Sequence, residues 1–152
     1  MDVGRELQSN NLLEAAVKLY KKALSLVDSD QLYAYGKDVV NPYVSILIDH
    51  HNYEEALHVY EKELVFAQEL ARDHYIHKVA LCIGVVTFLS MPEKVDSKVQ
   101  EVISFVPSFL TSNEYQAFTD MLNAYYNLRY EEFSNASRRA VFNNLEVPVI
   151  SP

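Results

Sequence analysis

Five histidines are the first residues of this sequence that invite a chemical reading. His74 and His77 stand at i and i+3, one turn apart on one helix face, with Asp73 beside them. A zinc site needs three or four ligands and an ordered second shell. His50 and His51 close one helix, His58 lies on the charged face of another, and no His-Glu-x-x-His pattern exists. The histidines therefore read as capping and surface residues, and no metal is expected. Cys82 sits in an apolar stretch with no basic neighbour in sequence, which is the setting of a small buried hydrophobe rather than a nucleophile. Gly4, Gly36 and Gly84 are isolated, so no phosphate-cradling loop forms, and Gly84 reads as a point of close helix contact. No serine or threonine lies in a nucleophile-elbow pattern. The pairs Glu54-Glu55 and Glu131-Glu132 open helices, where carboxylates suit the positive end of the dipole. Catalytic carboxylates need environments that shift their pKa values, and outward-facing helix starts offer none. An enzyme is not expected, and neither is a cofactor or a small-molecule substrate.

The remaining candidates are for binding. Lys18, Lys21 and Lys22 share one helix surface, Lys94 and Lys98 another, and Arg138 and Arg139 lie near the end. If equivalent helices stack, these groups line up into a positive strip that steers an acidic, elongated partner. The bland alternative is a set of solvated helix faces. Eleven tyrosines and no tryptophan supply either a peptide-binding inner face or wedges between helices with a wet hydroxyl end.

The elements that would carry these residues are helical. Leu12, Ala16, Leu19, Tyr20, Ala23, Leu24 and Val27 make one stripe at spacings of three and four. Asn10 or Asn11 is the expected N-cap, and Asp28-Ser29-Asp30 the turn that caps the next helix. Tyr53, Ala56, Leu57, Tyr60, Leu64 and Ala67 make a second stripe. Ala16 falls over Ala56, Tyr20 over Tyr60 and Leu24 over Leu64, each at an offset of 40. A fixed offset in this range marks a helical repeat array, whose usual tetratricopeptide unit is ~34 residues. Helices are expected near 11–28, 31–51 (with Pro42 inside), 53–72, 74–91, 93–106, 112–128 and 130–141. The segment after Lys78 is apolar on nearly every face and should be buried between neighbours. Short connections make successive helices antiparallel neighbours. The fold class expected is all-α, a right-handed α-solenoid of antiparallel hairpins, tetratricopeptide-like, in one helical-repeat domain over 1–152. The first helix reads as the second member of a hairpin, and the chain reads as a piece of a longer array with both ends uncapped, a dimer that stacks the open ends being the competing explanation.

Composition agrees with this. The chain has 152 residues, 49% hydrophobic and 22% charged, with 13 Lys plus Arg against 21 Asp plus Glu for a net charge of −8. That is ordinary for a globular protein and argues against a nucleic-acid backbone binder. One cysteine forms no internal disulfide, no apolar run approaches ~18 residues, and Met1 to Asn11 is polar, so a cytoplasmic protein is expected.

Three stretches carry a resemblance. Glu14-Ala15-Ala16-Val17-Lys18-Leu19-Tyr20, then Asn52-Tyr53-Glu54-Glu55-Ala56 through Glu69, then Asn113 to Asn135 resemble the C-terminal half of the soluble NSF attachment proteins, the gamma form most of all. The order of helices, the glutamate-rich second hairpin and the polar-aromatic run Tyr125 to Phe133 follow that pattern. The resemblance implies an adaptor that lies along the SNARE complex and recruits the NSF ATPase, cytoplasmic and peripheral on membranes in full-length form. By position it points to Lys18, Lys21, Lys22, Lys94 and Lys98 as the partner-binding residues. The family's N-terminal hairpins, and its final helix with a leucine-bearing tail that stimulates the ATPase, have no counterpart here, so this chain is expected not to activate the ATPase and to bind SNAREs weakly. A generic tetratricopeptide-like peptide-binding scaffold or co-chaperone module is the competing reading.

Overall fold

The apolar spacing of three and four becomes six α-helices and no strand among the described residues. The computed structural model describes residues 3–127, and side chains from Asn11 onward. The helices are α1 (Val3–Ser29), α2 (Gly36–Asp49), α3 (Tyr53–Leu70), α4 (Asp73–Ser90), α5 (Val95–Phe105) and α6 (Asn113–Tyr126). Short 3-10 turns at Tyr33–Tyr35, Pro92–Lys94 and Pro107–Thr111 lead into α2, α5 and α6. The expected helix over 130–141, with Arg138, Arg139 and the Glu131-Glu132 pair, lies outside the described residues, as does the run Phe142 to Pro152.

The joints are regular. The first three each contain a left-handed residue, Gln31 (φ 56°), His51 (φ 57°) and Ala71 (φ 52°), spaced by twenty. At the first, the Leu32 amide donates to the Val27 carbonyl and the Gln31 amide to Asp28; at the second, Asn52 donates to Leu47 and His51 to Ile48. These are paired six-to-one and five-to-two bonds that satisfy the last carbonyls of a helix. At the third joint the Ala71 amide donates to Gln68 in the same way. Twenty residues further on the pattern changes, because Pro92 holds Met91 extended (φ −142°, ψ 75°). Pro107 does the same to Val106.

Starts are capped where short polar side chains allow. Asn52 accepts from the Glu55 amide at 3.4 Å, and Ser112 from the Tyr115 amide at 3.1 Å. Two expectations fail here. α1 begins at Val3, so neither Asn10 nor Asn11 caps it, and the polar start of the chain extends the same helix. Asp28-Ser29-Asp30 does not cap α2, because a further 3-10 turn intervenes and no side chain caps either start. α2 runs through Pro42 from Gly36.

Residue pairs fix the helix directions. A Cβ at Gly36, the start of α2, would lie 2.8 Å from Phe66 near the end of α3, while Tyr43 further along α2 bonds Glu55 at the start of α3. α2 and α3 are thus antiparallel. Lys98 reaches Glu61 and Gln68 reaches the Phe105 carbonyl, both across 37 residues, so α3 and α5 run the same way in one register. His74 to Glu114, Gly84 to Phe118 and Phe88 to Tyr125 set α4 and α6 parallel as well.

α4 is the centre. It packs most extensively on α3 and also on α5 and α6. Its run Val79 to Thr87 is wholly buried, which its all-round apolar sequence anticipated. Thr87 satisfies its hydroxyl on the Ile83 carbonyl at 2.8 Å. Tyr43, Phe66, Phe109 and Phe118 fill the largest fully enclosed positions, each of which stabilises by about 1.5–3 kcal/mol relative to exposure. Of the repeated trio, Ala56, Tyr60 and Leu64 are all core, and Leu24 is core while Ala16 and Tyr20 are half-buried.

Candidate partner-binding surface

Of the five lysines singled out by sequence, four are exposed and the fifth is held in an ion pair. Lys18, Lys21 and Lys22 are exposed on α1 and make no ion pair among the described residues. Lys94 is exposed at the turn before α5. Lys98 differs from these four. Its ammonium sits 2.6 Å from a Glu61 carboxylate oxygen and 3.7 Å from Glu101, with only a fifth of its side chain exposed. It is the middle of an acid–base–acid triad that ties α5 to α3. Such a partly exposed pair is worth about 0.2–1 kcal/mol. α1 packs on α2, and α5 packs on α4 and is tied to α3.

The triad closes one end of a groove between the parallel helices α3 and α5. Its volume is about 240 Å³, its floor Leu64, Ile83 and Val102, its walls Val65 and Phe105. Phe105 is 65% exposed, so an aromatic face is held open to solvent beside a charged end. At the other end the Gln68 amide donates to the Phe105 carbonyl at 3.3 Å. This arrangement suits an apolar side chain with a polar neighbour, which is how a groove between helices takes a peptide anchor.

The tyrosines divide. Tyr43, fully buried, stacks on Tyr20 and donates to Glu55 at 3.4 Å. Burial first, and then the Glu55 charge and this bond, push its hydroxyl up to about 12. Tyr75 donates to the buried Glu63 at 2.7 Å, and burial followed by the Glu63 charge pushes it up further. A water-sized cleft beside that bond is bordered by Lys37, Asn41 and Lys78. Tyr33 packs on Phe66. These four wedge between helices, with the Tyr43 and Tyr75 hydroxyls ending on glutamates rather than in water. Tyr35, Tyr125 and Tyr126 are exposed. Tyr125 lies edge-on to Phe88 and to Tyr126. Burial first, with lesser contributions from the Asp96 and Tyr125 charges, raises the Tyr126 hydroxyl.

Four of the five histidines are engaged in structure. His74 faces Glu114 at 3.6 Å and His77 bonds Ser108 at 2.8 Å, so both tie α4 to the segment that follows α5. His50 bonds the Ile46 carbonyl and His51 the Tyr53 hydroxyl. Among the described residues no group of three or more His, Cys, Asp and Glu is placed to hold a metal, and no helix is long and apolar enough to cross a membrane. Cys82 is buried, and a Cβ on Gly84 would meet Phe118 at 3.0 Å, the close helix contact its sequence position implied. The Glu61–Lys98 pair, the Tyr75–Glu63 bond and the groove carried no sequence signal, because their partners lie 12 to 37 residues apart on helices whose registers the sequence leaves open.

Compared with known protein families, curated proteins and solved structures, the chain matches none.

Proposed function

We propose that this chain is a binding adaptor of the soluble NSF attachment type, an α-solenoid of tetratricopeptide-like hairpins that lies along an assembled SNARE complex and recruits the NSF ATPase. One observation carries the reading. Helices two apart run parallel in a shared register, Glu61 to Lys98 and Gln68 to Phe105, which is the relation that stacked hairpins require. The joints recurring every twenty residues support the same unit of forty. A stack of this kind works through an extended face rather than a pocket. The exposed lysines Lys18, Lys21, Lys22 and Lys94 supply positive charge for an acidic bundle; Lys98 is already paired and contributes structure. On this reading the protein acts at the cytoplasmic surface of membranes, held there by its partners. The test is co-sedimentation with assembled SNARE complexes. Lys18→Glu with Lys22→Glu should cut binding while leaving helicity unchanged, and wild-type binding should weaken sharply as ionic strength rises. Binding unmoved by both would remove these lysines from the interface.

A second reading has its own observation. The groove beside Phe105 suits a single apolar anchor, as in a peptide-binding scaffold or co-chaperone module. Short peptides that bind and protect the groove, with no retention of SNARE complexes, would favour it.

A further inference from the structure

The charge at the end of the α3–α5 groove is unbalanced. Lys98 lies between the Glu61 and Glu101 carboxylates, at 2.6 and 3.7 Å, and its side chain is 20% exposed against 42% and 56% for theirs. Solvent therefore meets carboxylate oxygen at this end, with one negative charge in excess. Neither Lys62 nor Lys94 is among the residues that line the groove.

The apolar part begins one turn further along α5. Glu101 and Phe105 are four residues apart on that helix, so they share a face about 6 Å apart along its axis. Phe105 and Val65, the walls, are 65% and 50% exposed. Phe105 is the last residue of α5, just before the extended Val106 that Pro107 imposes. The groove volume of about 240 Å³ exceeds the roughly 150 Å³ of apolar cavity that admits a benzene-sized group. One leucine or phenylalanine side chain of a partner fits there.

Position and charge select the occupant. Neither wall is an end helix of the described chain, and α4, which runs between α3 and α5 in sequence, already forms the floor at Ile83. A second copy would bring a net charge of −8 to an acidic end, which opposes association. The run Val141 to Pro152, outside the described residues, carries Glu146 and no lysine or arginine. A basic segment meets attraction instead. We propose that the α3–α5 groove docks an amphipathic helix of a partner protein, with one large apolar side chain between Val65 and Phe105 and an arginine or lysine one turn away on the Glu61 and Glu101 carboxylates. This deepens the peptide-scaffold reading and rests on it. It makes the partner basic, opposite in charge to the acidic bundle of the adaptor reading.

The probe is a labelled synthetic helix of about five turns, an alanine and glutamine background with one leucine flanked by arginine four residues to either side. It is titrated into the full chain at low salt by fluorescence anisotropy, and saturable binding is expected. Alanine in place of the leucine, or Phe105→Ser in the protein, should weaken binding at least about 10-fold. The thermal melt of Phe105→Ser should stay unchanged, because that ring is mostly in solvent. Glutamates in place of the arginines should also cost at least about 10-fold, a gap that narrows as ionic strength rises. Glu101→Arg should invert the preference, so that the glutamate peptide binds more tightly than the arginine one. No saturation by either peptide overturns this proposal and the scaffold reading together. Equal binding of the two, lost alike in Phe105→Ser, leaves the scaffold reading standing and overturns the basic partner. Arginine-peptide binding unmoved by both Phe105→Ser and Glu101→Arg places the peptide elsewhere and overturns the proposal. So does light scattering that finds the chain alone dimeric and Phe105→Ser monomeric, which would give the groove to a second copy.

Discussion

Gly84→Ala tests the packing of α4 on α6 through the sign of its effect rather than its size alone. In an ordinary helix interior the substitution stabilises by about 1 kcal/mol, because glycine loses the most backbone freedom on folding. Here the added Cβ would lie 3.0 Å from both Cε1 and Cζ of Phe118, where carbon atoms prefer about 3.5–4.0 Å. Phe118 is 1% exposed and sits beside buried Ala117, Met121 and Leu122, so its ring cannot swing into solvent. Overpacking of this kind costs about 1–3 kcal/mol. The two effects together predict a net loss of about 1 kcal/mol, a drop of roughly 2–4 °C in melting temperature for a chain of this length. Phe118→Leu removes the opposing ring edge. In that background Gly84→Ala should stabilise, by up to about 1 kcal/mol. Chemical and thermal unfolding followed by circular dichroism on the four proteins of the cycle gives the coupling directly. Equal stabilisation in both backgrounds would show that Gly84 is not a contact-limited glycine and would refute the register assigned to α4 and α6.

Four further outcomes check other parts of the structure. Ala56→Leu forces three extra carbons into a fully enclosed site on α3 and should cost about 1–3 kcal/mol in urea unfolding. Tyr75→Phe removes a 2.7 Å bond to a carboxylate that is 3% exposed, and should cost about 1.5–3 kcal/mol, against a smaller loss for Tyr43→Phe, whose bond is 3.4 Å. Tyr43 ionises at about 12 when folded against 10.0 when free, so its contribution to stability is fully present below pH 10.0 and is lost as pH rises through about 12. Tyr75 and Tyr126 are raised as well, so tyrosinate absorbance should show late-titrating hydroxyls, Tyr43 and Tyr75 among them, that move to normal values in denaturant. Ala71→Gly relieves a left-handed alanine (φ 52°) and should raise the melting temperature, by up to about 1 kcal/mol in stability.

The helices were legible because three- and four-residue spacing survives whatever the neighbours do. Asp73 to Met91 was readable as a central helix from its apolar circumference alone. The 3-10 turns were not, since Tyr33–Tyr35 and Pro92–Lys94 continue the helical spacing on either side and only the bond pattern changes. Neither was the extension of α1 to Val3, because a polar stretch without proline or an interrupting turn says little about where a helix begins. Leu12 and Leu19 mark a deeper limit, for both belong to the sequence stripe of the first helix and both are exposed. Periodicity tells which residues share a face, and coverage of that face depends on a neighbour elsewhere in the chain or outside it. Lys98 illustrates the same limit for charge: as a position it matched Lys94, and only the 37-residue alignment of α5 on α3 brings Glu61 to it and separates the two.

The evenly placed left-handed joints at Gln31, His51 and Ala71 have a consequence for growth of the molecule. Each hands the chain to the next helix through the same closing geometry after the same length of backbone. A segment removed or duplicated in steps of forty residues would therefore meet a compatible splice on either side, with no new corner to invent. Architecture assembled from such interchangeable lengths can be extended or trimmed while its seams stay intact, and Pro92 marks where that freedom stops.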